Sequence, residues 1–177
     1  MVQARTAFLC ADQADHNGLR AWLRGLQSLV AYWAGRYAEA LRYAEQGTAF
    51  AANIGGTSSV WLPVSAARAH AALGNAEAAV TEIRRAESAW EQVRPDEVDE
   101  LGGICTFNRP RTLYYAADAL AWLPTEAGNA QLYSAQAVDA FADPNDPAWA
   151  FGDQAGSHAN LAIARIAARD LDGAAQA

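Results

Sequence analysis

Ala34-Gly35-Arg36-Tyr37-Ala38-Glu39-Ala40-Leu41 and Leu73-Gly74-Asn75-Ala76-Glu77-Ala78-Ala79-Val80 are two versions of one phrase, 39 residues apart. Each reads as a helix end, a glycine turn and the opening of a second helix. Seven residues after Ala40 and Ala79 stand Gly47 and Ala86, small again. Seven residues make two helical turns, so each pair of small residues shares one face and lets a neighbouring helix come close. The phrase returns around Ala130 and Ala137, after Thr125-Glu126-Ala127-Gly128-Asn129, and begins once more at Arg169-Asp170-Leu171-Asp172-Gly173-Ala174. Repetition of a helix–turn–helix unit at this period predicts an array of helical hairpins.

Outward from these turns, apolar residues recur at helical spacing. Leu19, Leu23, Leu26, Val30 and Trp33 step by four, three, four and three. Gly55-Gly56, Gly102-Gly103, Pro124, Gly128 and Asp143-Pro144 punctuate the remaining segments. Helices are expected near 3–14, 18–34, 37–53, 59–72, 76–92, 110–122, 127–141 and 154–168, with another starting at 171. Sustained two-residue alternation is missing, so no strands are expected. The chain reads as one domain over 1–177, all-α, of about eight to nine helices, interrupted by a loop at 93–109 and a turn at 143–152. It opens and closes inside what read as second helices of hairpins, which suggests a segment of a longer array.

Composition agrees with helices and narrows the partners. Of 177 residues, 52% are hydrophobic, and alanine, the strongest helix former, supplies about a quarter. Net charge is −7, and the 13 basic residues, all arginine, are scattered. A nucleic-acid surface needs clustered cations, so direct nucleic-acid contact is not expected. No apolar run approaches the ~20 residues of a membrane span, and the N-terminus lacks a secretory h-region. Cys10 and Cys105 lie far apart beside apolar or small residues and read as reduced thiols, consistent with a cytoplasmic protein.

The glycine turns and paired small residues resemble the tetratricopeptide repeat (TPR) family over roughly 18–177. Trp61-Leu62-Pro63, Ala69-His70-Ala71-Ala72-Leu73-Gly74 and Phe107-Asn108-Arg109-Pro110 are similar to the divergent TPR-like arrays of high-GC Gram-positive bacteria. Such arrays follow an XRE-type helix-turn-helix domain in transcriptional regulators. The resemblance implies a right-handed superhelical solenoid whose first helices line a concave surface. It also implies a non-catalytic sensor or protein-interaction module, with any DNA-binding part outside these residues.

Carried onto this chain, the concave face takes Trp22, Leu29, Tyr32 and Trp33 from the first hairpin. Trp61, Val64 and Arg68 come from the second. Arg111, Tyr115 and Trp122 follow from the third, and His158 and Ile163 from the fourth. The candidate ligand- or partner-binding set is Trp22, Tyr32, Trp61, Arg68, Arg111, Tyr115, Trp122 and His158. Aromatic groups with polar tips suit a peptide, a protein partner or a small-molecule effector. The same aromatics at helical spacing also suit wedges between helices. That role is expected of Trp33 and Trp90, while Trp61, Arg68 and Tyr115 fit either. Arg109 is expected to pair with the acidic run Asp96–Glu100 and Arg111 to face the groove. The acidic run reads as a solvated linker, His16 as a helix-end residue held by the dipole, and Trp149 with Phe151 as a packing plug.

Enzyme motifs are missing. There is no His-Glu-x-x-His, no Gly-x-Ser-x-Gly and no lysine for a phosphate loop. His16, His70 and His158 are dispersed, so no catalytic residue, metal site or cofactor is assigned. A structural adaptor or a self-associating scaffold, such as a homodimer, is the alternative function. A helical enzyme domain with a cryptic acid–base pair is the remaining one.

Overall fold

The computed structural model describes residues 2–52 and 54–177, and these are all-helical. The described residues form nine α-helices: α1 (Val2–Gln13), α2 (Asn17–Trp33), α3 (Tyr37–Ala51), α4 (Ser58–Ala72), α5 (Ala76–Trp90), α6 (Arg109–Ala121), α7 (Ala127–Ala140), α8 (Phe151–Ala167) and α9 (Leu171–Ala174). The repeated phrases are the α2–α3 and α4–α5 turns. Gly35 and Gly74 adopt φ of +71° and +80°, the left-handed conformation that ends a helix at low cost only when the residue lacks a Cβ.

Each helix packs on the next. In addition α2 packs on α4, α4 on α6, and α6 on α8, so the even-numbered helices form a continuous row. The expected small-residue faces are buried throughout: Ala40, Gly47, Ala79, Ala86, Ala130 and Ala137. A Cβ on Gly47 would collide with the Leu62 side chain, so this glycine sets how closely α3 meets α4. Burying alanine and glycine lets helix axes approach and the backbones make the contact. α4 sits at the centre of the row and is buried along most of its length, including Arg68.

The leucine stripe of α2 behaves differently from the simple periodic expectation. Gly18, Ala21, Trp22, Gly25, Gln27, Ser28 and Ala31 are the buried positions, whereas Leu19, Leu23, Leu26 and Val30 are half-buried. The small residues take the axis contact, and the leucines flank it.

The two irregular stretches are ordered by side-chain hydrogen bonds. In the first, residues 91–108, the Asp99 carboxylate is buried. It accepts the Thr57 N–H at 2.9 Å, the Asp96 N–H at 3.1 Å and the Thr57 hydroxyl. The Thr57 hydroxyl in turn accepts the Phe107 N–H at 3.0 Å. The acidic run is therefore not simply a solvated linker. Its central carboxylate ties the loop to the start of α4. His16 caps α2, its Nδ1 accepting the Leu19 N–H at 3.2 Å, and its Nε2 lies 3.0 Å from Glu97. That is a capping role, not a dipole role at a helix C-terminus.

In the second stretch, Asp143 and Asp146 each accept a backbone N–H two residues on, at 2.9 and 2.7 Å. Phe151 opens α8 with most of its surface exposed, so it does not plug the array. Trp149 is half-buried and donates to Gln154. Cys10 is exposed and Cys105 half-buried, and both are free thiols. No helix among the described residues is long and apolar enough to cross a membrane.

Candidate functional site

The helix row brings most of the candidate residues together, but into two cavities. α2, α4 and α6 run parallel: residues earlier in each helix share one cavity, and residues towards the C-terminal ends share another.

The first cavity measures about 280 Å³. α2 contributes Trp22, Leu26 and Leu29; α4 contributes Trp61; α6 contributes Tyr115 and Arg111. Ile104 and Phe107 enter from the loop before α6, and Asp153 from the first turn of α8. The aromatic rings brace one another. Trp22 and Trp61 have centroids 4.3 Å apart, Phe107 stacks on Trp61 at 5.9 Å, and Tyr115 meets Phe107 edge-on at 5.1 Å. Gly25 makes room for this arrangement: a Cβ there would fall 2.6 Å from the Trp61 ring. Phe107, fully buried, is held in place by its N–H to Thr57, so the buried Asp99 cluster builds one wall of the cavity.

The polar edge is the Arg111–Asp153 pair, with Nε 2.8 Å from Oδ2 and both side chains half-buried. Asn108 caps α6 by accepting the Arg111 N–H at 2.9 Å and so fixes where Arg111 begins. Trp61 is 4% exposed, and its indole N–H is buried on the Tyr115 side of the cavity. Burial pushes the Tyr115 hydroxyl above its ordinary pKa, against the opposing pull of Arg68.

The second cavity, about 150 Å³, is lined by Tyr32 and Tyr37, by Arg68, Ala71 and Ala72, and by Asp118 and Trp122. Its centre is a charge lock. Arg68, 2% exposed, donates from Nε to Asp118 at 2.6 Å. The Tyr32 hydroxyl donates to the same carboxylate oxygen at 3.3 Å. The guanidinium is clasped between the Tyr32 and Tyr115 ring faces, at 4.1 and 4.2 Å from their centroids. Burial opposes the Arg68 charge, but Asp118 and the surrounding tyrosines outweigh it, leaving the arginine pKa raised. Burial first, and then the Asp118 charge, push the Tyr32 phenol up to about 12. Arg68 and Tyr115 thus form the partition between the two cavities.

Trp22, Trp61, Arg111 and Tyr115 line the larger cavity, and Tyr32, Arg68 and Trp122 the smaller. His158 joins neither. α8 buries Ser157, Asn160, Leu161 and Ala164, and His158 lies off that face, its Nδ1 against the Ala177 carbonyl. Trp33 is 68% exposed and Trp122 65% exposed, so Trp33 is not a wedge, and Trp122 stands at a rim. Trp90 is half-buried against the core. Arg109 is exposed and makes no ion pair among the described residues, whereas Arg111 faces the groove already paired.

Sequence reasoning missed Asp118, Asp153 and Phe107. An acid seven residues after Arg111 on one helix was a readable signal for Asp118. Nothing local distinguishes Asp153. Among the described residues no group of three or more His, Cys, Asp or Glu side chains could hold a metal ion. No protein-family profile matches the chain, and comparison with curated proteins and with solved structures returns no match.

Proposed function

We propose that this chain is a non-catalytic recognition module, a right-handed solenoid of TPR-like hairpins. It binds a small molecule or the end of a peptide in the aromatic cavity between α2, α4 and α6. The carrying observation is the cavity itself. It is walled by braced Trp, Phe and Tyr rings, is apolar inside, and has one ion pair at its edge. Apolar clefts with a few convergent polar groups are the usual form of a small-molecule site. The packing order supports an array, since α2 packs on α4, α4 on α6 and α6 on α8, with the Tyr32 hydroxyl reaching across from α2 to Asp118 of α6. Its resemblance to the arrays of XRE-type regulators supports a sensor role. A ligand bridging α2, α4 and α6 would favour one curvature of the row and bias an attached partner domain.

The test reads the six Trp indole N–H resonances, assigned by single Trp→Phe variants. A ligand in the cavity shifts the Trp22 and Trp61 signals and leaves that of Trp33 in place. If every binder found in a screen moves only the exposed Trp33 and Trp122 signals, the cavity is not the recognition site.

A scaffold is the second reading. Trp33, Leu73, Trp122 and Ile166 are exposed large apolar residues near the C-terminal ends of α2, α4, α6 and α8. An apolar edge of this kind suits a protein partner or a second copy. Sedimentation that gives a monomer at high concentration would remove the self-association form of this reading.

A further inference from the structure

We infer that the aromatic cavity receives a free α-amino acid with an apolar side chain, its ammonium and carboxylate bound at the Arg111–Asp153 pair. The inference rests on the recognition reading above and specifies the ligand for it. The pair is held by a single contact, Arg111 Nε to Asp153 Oδ2 at 2.8 Å. The two terminal nitrogens of Arg111 and the second oxygen of Asp153 make no hydrogen bond among the described residues. The mouth of the cavity therefore offers two open donors beside one open acceptor, with no net charge. A purely anionic ligand would gain Arg111 but meet the charge of Asp153, and a purely cationic one would meet the converse. A ligand with both signs on neighbouring atoms satisfies both ends without breaking the pair. An α-amino acid has that spacing, and a guanidinium edge binds a carboxylate well.

The interior selects the rest of the ligand. Beyond the ion pair the walls are Trp22, Trp61, Phe107 and Tyr115 with aliphatic flanks, so an apolar side chain is the complementary group. About 280 Å³ lies just below the usual range of ligand cavities, roughly 300–1,000 Å³, which favours amino-acid size over a longer peptide.

The experiment titrates the whole chain with L-leucine and L-phenylalanine by calorimetry, following the Trp22 and Trp61 indole signals. Four single-charge analogues accompany them: isocaproate, isoamylamine, hydrocinnamate and phenethylamine. At least one amino acid should bind, and each of its analogues should be weaker by about tenfold or more, since each forfeits a charge-assisted contact. Arg111→Gln and Asp153→Asn should each abolish that preference. Analogues that bind as tightly as the amino acids would overturn the inference while leaving the cavity as a recognition site. Silence from both amino acids would also overturn it, and toluene then separates the two ideas. If toluene shifts the Trp22 and Trp61 signals, only the amino-acid inference fails. If it does not, the recognition reading fails with it.

Discussion

The two cavities on the helix row use the same vocabulary, an arginine, an aspartate and tyrosine and tryptophan rings, to opposite ends. Around Arg68 the pair is buried, with Nη2 of the guanidinium left without a partner among the described residues. The guanidinium is buried between two ring faces, its Nε reaches Asp118, and Asp118 also takes the Tyr32 hydroxyl. Around Arg111 the pair is half-exposed, though it too is joined through one atom of each partner. Burial is the difference that matters. Losing one member of a buried pair strands a charge in low dielectric, whereas a half-exposed pair can exchange its partner for water or ligand. The closed cavity therefore fixes α2, α4 and α6 to one another, and the open one beside it can use that rigidity to present a shaped, dry wall.

The sharpest way to break this contrast is to cut the lock. Arg68→Met leaves Asp118 nearly buried without its cation and should cost about 3–5 kcal/mol in denaturant unfolding. Replacing both, as Arg68→Met with Asp118→Leu, should recover most of that loss, because paired apolar replacements of buried ion pairs are often close to neutral. A single Arg68→Met variant as stable as the parent would mean the lock holds nothing.

Next in size is the wall of the open cavity. Asp99→Ala leaves the Thr57 N–H, the Asp96 N–H and the Thr57 hydroxyl without their acceptor, at an expected cost of about 2–4 kcal/mol. Because the Thr57 hydroxyl also positions Phe107, amide exchange of residues 99–107 should accelerate beyond the global change. Uniform exchange would show that the loop keeps its place without the carboxylate.

Gly25→Ala is a smaller perturbation aimed at the aromatic brace alone. The added methyl would lie 2.6 Å from a rigid indole ring that cannot swing clear as a flexible chain would. Overpacking of this kind costs about 1–3 kcal/mol. It should displace the Trp61 indole signal and leave the Tyr32–Arg68–Asp118 cluster in place, separating the two cavities experimentally. Unchanged Trp61 chemical shift and stability would mean the α2–α4 spacing is softer than the packing implies.

How far this contrast was legible in the sequence depends on what fixes each part. The hairpin turns were readable, because Gly35 and Gly74 hold left-handed backbone and punctuate strongly periodic helices. The spacing of Ala40 with Gly47 and of Ala79 with Ala86 was readable for the same reason. What periodicity alone hid was which stripe of α2 faces inward. The leucine periodicity marked the helix, yet in an alanine- and glycine-rich array most of the buried positions of α2 go to small residues. Trp22, Trp61, Arg111 and Tyr115 were placed on one face by the resemblance to TPR arrays, in one set with Tyr32, Arg68, Trp122 and His158. Of the partners that decide closed from open, Asp118 carried a signal in its seven-residue spacing from Arg111, whereas nothing local marks Asp153. His158 failed because one residue on a helix turns a side chain by about 100°. The Asp99 cluster was illegible for a related reason: an acidic run reads as solvated until a distant threonine is known to meet it.

The mildest prediction is seen only at high pH and asks whether the rings of the closed cavity are as buried as their packing says. Tyr32 rises from an ordinary 10.0 to about 12, first by burial and then by the Asp118 charge. Tyr114, beside Gly156 of α8, rises to about 12, again with burial as the first cause. In both, the folded phenol holds its proton more tightly than the unfolded one. Their contribution to stability is thus complete below pH 10 and is lost as pH climbs from 10 towards 12, where the unfolded chain ionises and the native one resists. Stability by denaturant should be flat in this respect up to neutral and mildly alkaline pH and then fall across that window. Phenolate absorbance should show a late-titrating fraction that shrinks in Tyr32→Phe and in Tyr114→Phe. Stability that rises across the same window, or a single early phenolate transition near 10, would mean that water reaches the Tyr32–Asp118 contact, and the closed cavity would then be no more closed than its neighbour.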